Sequence, residues 1–180
     1  MDDPIATEGL ILPPLGADAI QTLIDADGAR LKALTGARFP RPVAPPPLMD
    51  DALPVFRDRL REDPALAPWW VRLIVRRDGG EAVGSAGLTG RPDAAGVVVV
   101  GYAVYPEFQG HGYATEAVRA LVAWALGQPA VAAVRATVPP GNAPSLRVVA
   151  KAGFRRAGGI VDDEEGELEV WEIRRGGGAI

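Results

Sequence analysis

Gln109-Gly110-His111-Gly112-Tyr113-Ala114 is the stretch on which the fold turns. Before it runs Val97-Val98-Val99-Val100-Gly101-Tyr102-Ala103-Val104-Tyr105, β-branched and apolar, which predicts a strand buried on both faces. After it, Ala117, Val118, Leu121, Val122 and Ala125 fall on one helical face, and Gly127 stands where that helix would stop. Glycines remove side chains where a chain turns tightly and comes close to a ligand. The first N–H groups of a helix lack intrahelical acceptors, and the macrodipole adds roughly half a positive charge there. The loop therefore reads as a seat for phosphate or pyrophosphate. The chain has no G-x-x-x-x-G-K-[ST], which disfavours a P-loop NTPase. Nor has it a G-x-G-x-x-G with an acidic partner early in a βαβ unit, which disfavours a dinucleotide fold.

A second informative segment is Asn142-Ala143-Pro144-Ser145-Leu146-Arg147-Val148-Val149-Ala150-Lys151-Ala152-Gly153-Phe154. It follows Val131 to Val138, which reads as the next strand. Asn142 suits an N-cap, and Pro144 is tolerated in a first turn, where N–H groups lack partners anyway. Leu146, Val149 and Ala150 share a face, Gly153 suits a left-handed cap, and Phe154 can close onto Val149.

Together these segments resemble the GCN5-related N-acetyltransferase (GNAT) superfamily. The loop fits its acyl-CoA pyrophosphate pattern, Q/R-x-x-G-x-G/A, and the later segment resembles N-x-x-S-x-x-V-x-x-K-x-G-F. Gly101-Tyr102, Tyr105-Pro106-Glu107 and Ala114-Thr115-Glu116-Ala117 are similar to the ribosomal-protein N-terminal acetyltransferase branch. The motif-bearing resemblance covers Val97 to Phe154. It implies an α/β fold with a mixed sheet, mostly antiparallel at its N-terminal end, with splayed central strands, flanking helices and a C-terminal hairpin.

It also implies acetyl-CoA as co-substrate, no metal, and direct transfer to a primary amine, either a protein N-terminus or a small molecule. The pyrophosphate would sit on the loop, on N–H groups of Gly110, Gly112, Tyr113 and Ala114, with Gln109 shaping the turn. The pantetheine arm would pair with Tyr102, Ala103 and Val104, and a backbone N–H near Val104 would face the thioester oxygen. Asn142 matches a contact to that arm. Ser145 matches a proton donor to the leaving thiolate; its structural alternative is a first-turn hydroxyl bonded to the Asn142 backbone.

The chain departs from the branch at Val99, where a glutamate is often found. Candidate replacement bases are Glu107, Glu116 and the cluster Glu164, Glu165, Glu167, Glu169, of which Glu167 or Glu169 can reach towards an acceptor. Each also has a plain reading as a solvated or dipole-favouring carboxylate. A water chain or a backbone carbonyl is the further alternative. His111, the only histidine, reads as an exposed loop residue rather than a catalyst. Trp69-Trp70 reads as packing, with an acceptor wall as alternative. Arg147 and Lys151 either meet a CoA phosphate or favour a helix C-terminus. A catalytically weak acyl-CoA-binding sensor or interaction module, and an enzyme for longer or acidic acyl groups, are the rival functions.

The 180-residue length suits one domain, expected over residues 1–175, with 176–180 as a frayed tail. No apolar run is long enough to span a membrane, and Met1-Asp2-Asp3-Pro4 lacks the basic start of a signal peptide. With no cysteine and a net charge of -4, the chain reads as cytoplasmic, without a nucleic-acid footprint. Homodimers are common in the family it resembles, so a homodimer is an expectation of that resemblance alone. The elements read as a strand over Glu8 to Leu15, helical pattern over Ala17 to Leu34, and a proline loop over Phe39 to Leu48. A helix over Asp50 to Glu62, three meander strands (Trp69 to Arg77, Glu81 to Leu88, Gly96 to Tyr105) and the closing hairpin complete the order. The loop serves as an acceptor lid or as a stiff connector.

Overall fold

The computed structural model describes residues 4–46 and 52–176. The expected ends of the proline loop (Leu48), the second helix (Asp50) and the tail beyond residue 176 lie outside them. Eight strands form one mixed sheet: β1 (Ile5–Ala6), β2 (Leu10–Leu12), β3 (Val71–Arg76), β4 (Ala82–Leu88), β5 (Val97–Val104), β6 (Ala133–Val138), β7 (Arg155–Asp162) and β8 (Gly166–Arg174). Their order is β1-β2-β3-β4-β5-β6-β8-β7. Every neighbouring pair is antiparallel except β5 and β6. That parallel pair needs a crossover, and α4 (Tyr113–Gly127) supplies it.

Two apolar layers sandwich the sheet. On one face Ala117, Val118, Leu121, Val122 and Ala125 of α4 pack on Ile74, Val98, Val100, Val134 and Ala136. On the other, α1 (Ala17–Ile24), α2 (Gly28–Thr35) and α3 (Leu53–Glu62) pack Ile20, Leu23, Leu31 and Leu60 over Val71, Leu73 and Val75. This second layer covers only the β3 end of the sheet. The strand expected to be buried on both faces is therefore buried on one: Val98 and Val100 are covered, whereas Val97 and Val99 are half-buried and Gly101 is exposed. The apolar run faces a cleft where a second helix would otherwise lie.

Three boundaries differ from the sequence expectation. The helical pattern of Ala17 to Leu34 breaks into two helices at Ala26, whose φ of 53° is left-handed, and Asp27 restarts the chain by accepting the Arg30 N–H at 3.0 Å. The strand expected over Glu8 to Leu15 is only Leu10–Leu12, and an unexpected strand, Ile5–Ala6, precedes it across a turn at Thr7, whose hydroxyl accepts the Leu10 N–H at 2.8 Å. The strand after Trp69-Trp70 starts at Val71, because Pro64–Trp69 winds into a 3₁₀ turn that Asp63 caps through the Ala65 N–H at 3.1 Å. The end of α5 (Ala143–Ala152) agrees with expectation: Gly153 has φ 95°, and the Phe154 N–H donates to the Val149 carbonyl at 3.0 Å.

Candidate active site

The central feature is a sheet that stops pairing halfway. β5 pairs with β6 at Val97↔Ala133, Val98↔Val134 and Val99↔Arg135 only, while β6 stays on β8 as far as Val138↔Glu169. On its other side β5 stays on β4 out to Gly84↔Val104. The Thr89 N–H donates to the Val99 carbonyl at 2.9 Å and the Tyr105 N–H to the Val83 carbonyl at 3.0 Å. Odd-numbered residues of β5 thus turn their peptide groups towards β4. By the alternation of a strand, Tyr102 and Val104, beyond the last pair with β6, turn theirs into the gap. The Val104 carbonyl is met there by Gln109 Nε2 at 3.1 Å.

Where β5 ends, the glycine loop begins. Gly110 and Gly112 hold φ of 81° and 85°, a conformation that other residues adopt only under strain. Among the described residues, the N–H groups of Gly110 to Thr115 have no protein acceptor; the Glu116 N–H makes the first bond, to Gly112, at 3.0 Å. The exposed His111 ring stacks on Tyr113 with centroids 5.7 Å apart, and its Nδ1 lies 3.2 Å from the Phe108 carbonyl oxygen. Glu116 is a strut: its Oε1 accepts from the Thr7 hydroxyl at 2.5 Å and from the Gly9 N–H at 2.9 Å.

A cleft of about 880 Å³ crosses the gap. It is lined by Asn142, the N-cap of α5, and by Ser145 of that helix. Asn142 Oδ1 accepts the Ser145 N–H at 3.1 Å, and the Ser145 carbonyl accepts the Tyr102 hydroxyl at 3.1 Å, which ties α5 to β5. Burial pushes the Tyr102 phenol above its ordinary value, with the bond to Ser145 opposing. Among the described residues the Ser145 hydroxyl has no hydrogen-bond partner. Phe56 and Trp70, ring centroids 5.1 Å apart, and the exposed Glu165 of the β7–β8 turn also line the cleft. Its floor is small and uncharged: Ser85 and Gly87 from β4, Thr89 just after it, and Val99, Gly101 and Ala103 from β5.

Tyr102, Ala103, Asn142 and Ser145 thus line one cleft, and β5 runs on from it to Val104, Gln109 and the glycine loop, which lie outside that lining. Glu107 does not join them. It is exposed and lines a separate pocket of about 900 Å³ with Lys32, Arg38, Phe39 and Glu81, under the described part of the proline loop. That loop is pinned by the Tyr105 hydroxyl, which donates to the Ala44 carbonyl at 2.7 Å. Glu169 is engaged by Arg156 at 3.3 Å and Trp171 Nε1 at 3.0 Å, and Glu167 sits exposed opposite Val161. The hairpin carboxylate that lines the cleft is Glu165, which nothing in the sequence sets apart from its acidic neighbours. The adjacent tryptophans divide their duties: Trp69 packs edge-on against Trp124 at 5.0 Å, while Trp70 walls the cleft. Arg147 and Lys151 are exposed, and the Lys151 carbonyl accepts from Arg119. Among the described residues no three His, Asp or Glu side chains converge as a metal site, and no helix is long and apolar enough to cross a membrane.

Residues 10–155 match the acetyltransferase (GNAT) domain family. An uncharacterised N-acetyltransferase of Bacillus subtilis, YjdG, is 30% identical over 121 residues, which cover 67% of this chain and 69% of that one. The ribosomal-protein-S5-alanine acetyltransferase of Vibrio fischeri superposes with a TM-score of 0.70 at 16% identity, covering 98% of each chain. An aminoglycoside acetyltransferase in complex with coenzyme A superposes with a TM-score of 0.57 at 21% identity, covering 91% of this chain and 94% of its own. The chain belongs to the GNAT family of acetyltransferases.

Proposed function

We propose that the protein transfers an acetyl group from acetyl-CoA directly to a primary amine. The observation that carries this reading is the β5–β6 gap, which opens beside a loop of unpaired N–H groups. The N–H groups of Gly110, Gly112, Tyr113 and Ala114 receive the pyrophosphate, reinforced by the start of α4. His111, stacked on Tyr113, lies beside that seat. The pantetheine arm runs into the gap, where Tyr102 and Val104 offer peptide groups, with Ala103 between them and Asn142 opposite. The Val104 N–H faces the thioester oxygen as negative charge builds on it. The amine nitrogen bonds to the thioester carbon, the C–S bond breaks, and the amine's surplus proton passes to water in the open cleft. The thiolate takes a proton from the Ser145 hydroxyl, which recovers one from solvent. Glu107, outside the cleft, has no part in this scheme. The two structural neighbours are named for acceptors as different as a ribosomal protein and an aminoglycoside, so the shared chemistry is the amine.

A thermal-shift titration with acetyl-CoA, CoA and ATP tests the reading. Binding to the native state alone, at about a hundred times Kd, adds roughly 2.7 kcal/mol. At about 2–4 °C per kcal/mol for a chain of this size, Tm rises by several degrees. Acetyl-CoA and CoA are expected to give that rise and ATP is not; no rise at millimolar acetyl-CoA would overturn the assignment. Binding without turnover of any amine would favour a CoA-responsive module instead.

A further inference from the structure

With the thioester entering along the gap on the α4 side, the small-residue floor on the opposite face is left for the acceptor. Leu88, Ala86, Val100 and Tyr102 belong to the α4 layer, so by alternation Gly87, Thr89, Val99 and Gly101 face the other way. The same cleft is lined by two further aromatic rings, Phe56 and Trp70, and by one charge. Among the described residues lining the cleft, Glu165 is the only ionic side chain. Its place is set by the turn: Asp162 Oδ1 accepts the N–H of Glu165 at 3.0 Å and that of Glu164 at 2.9 Å.

Building on the acetyl-transfer reading, we propose that Glu165 receives the acceptor's ammonium group and that Phe56 and Trp70 hold the body attached to it. The acceptor is then a primary amine on an apolar or aromatic body, with no carboxylate next to the nitrogen. Attraction to one carboxylate and to aromatic faces favours the cation. A carboxylate on the acceptor would meet Glu165 and the rest of the acidic turn, Asp162, Asp163 and Glu164, with no lining cation to receive it. A free monoamine and a peptide N-terminus both satisfy this description; a free α-amino acid does not.

The test compares wild type, Glu165→Gln, Glu165→Lys and the neighbouring control Glu164→Gln. Acceptors are 2-phenylethylamine, a peptide amide beginning with phenylalanine, and free phenylalanine. For wild type, kcat/KM on at least one of the first two should exceed that on phenylalanine by about tenfold or more, and which one leads identifies the source of the amine. Glu165→Gln should lose about tenfold, carried by KM, while Glu164→Gln stays within about twofold. Glu165→Lys should narrow or invert the preference against phenylalanine. CoA affinity by calorimetry should be the same in all four proteins. Unchanged kinetics in Glu165→Gln, or a wild-type preference for phenylalanine, would overturn the assignment of Glu165 while leaving acetyl transfer standing. Wild type that binds acetyl-CoA yet acetylates none of the three in overnight incubation would overturn it as well, and a broad amine screen would then decide whether acetyl transfer itself fails.

Discussion

A methyl group added to Gly87 would sit 1.7 Å from the Trp70 carbonyl oxygen, with the Trp70 carbonyl carbon at 2.8 Å. Both atoms are backbone, so the wall of the cleft itself must move. Gly87→Ala is expected to cost at least the roughly 1–3 kcal/mol of ordinary overpacking, measured from the urea midpoint, and to weaken acceptor KM. At Gly112 there is room for a methyl but not the conformation: its φ of 85° costs a non-glycine residue about 1–2 kcal/mol. Gly112→Ala should therefore reduce acetyl-CoA affinity by about tenfold as the loop relaxes, with far-UV CD unchanged. Ser145→Ala should lower kcat by less than about tenfold, because CoA thiol is a good leaving group and general acid help is then small. At this scale the sequence speaks clearly where one residue type answers one backbone need. Asn142 and Gly153 are such cases, each a cap with its partner three to five positions away along the chain. Glu165 and Trp70 are the opposite: their importance comes from the cleft they line together with segments distant in sequence.

Elements carry the loop and the cleft in different ways. The start of α4 is braced by Glu116, which holds the β1–β2 turn through Thr7 and Gly9. Glu116→Ala removes two bonds to a charged acceptor and should destabilise the protein by about 1–3 kcal/mol, with the greatest gain in amide exchange at the β1–β2 turn. The β7–β8 turn depends on Asp162, whose carboxyl is held below its ordinary value by the backbone N–H groups of Glu165 and Glu164. Its support of the turn is complete above the ordinary carboxylate range and disappears as pH falls through the lowered folded value. Asp162→Ala should reproduce at neutral pH what acid does to the wild type, seen as a rise in acceptor KM with CoA affinity retained. Long amphipathic elements such as α4 were legible because their periodicity is sustained over four turns. The break at Ala26 was not, since alanine carries no signal for a left-handed residue and Asp27 serves equally inside a helix's first turn.

For the molecule as a whole, the link between α5 and β5 through Tyr102 has a pH signature. Burial raises the phenol's pKa above its unfolded value of 10.0, so the folded state keeps that proton longer. The stability involved is whole below that value and is lost as pH rises through the higher folded one. Tyr102→Phe should flatten the alkaline fall in Tm above about pH 10, at the cost of the bond to Ser145. The order of the elements followed from the strand, loop and helix signals along the chain, and the mixed sheet from the family resemblance. The one-sided cover of β5 did not, because an apolar strand facing a helix and one facing a cleft look alike in composition.

Three matched residue pairs are all that join β5 to β6, so the sheet is in effect two panels with an open seam. A molecule lying in that seam would be mortar as much as reactant. Deuterium uptake at Tyr102 and Val104 would then report how far the panels have been grouted together, and the stiffness of the enzyme would rise and fall with the cell's supply of its own co-substrate.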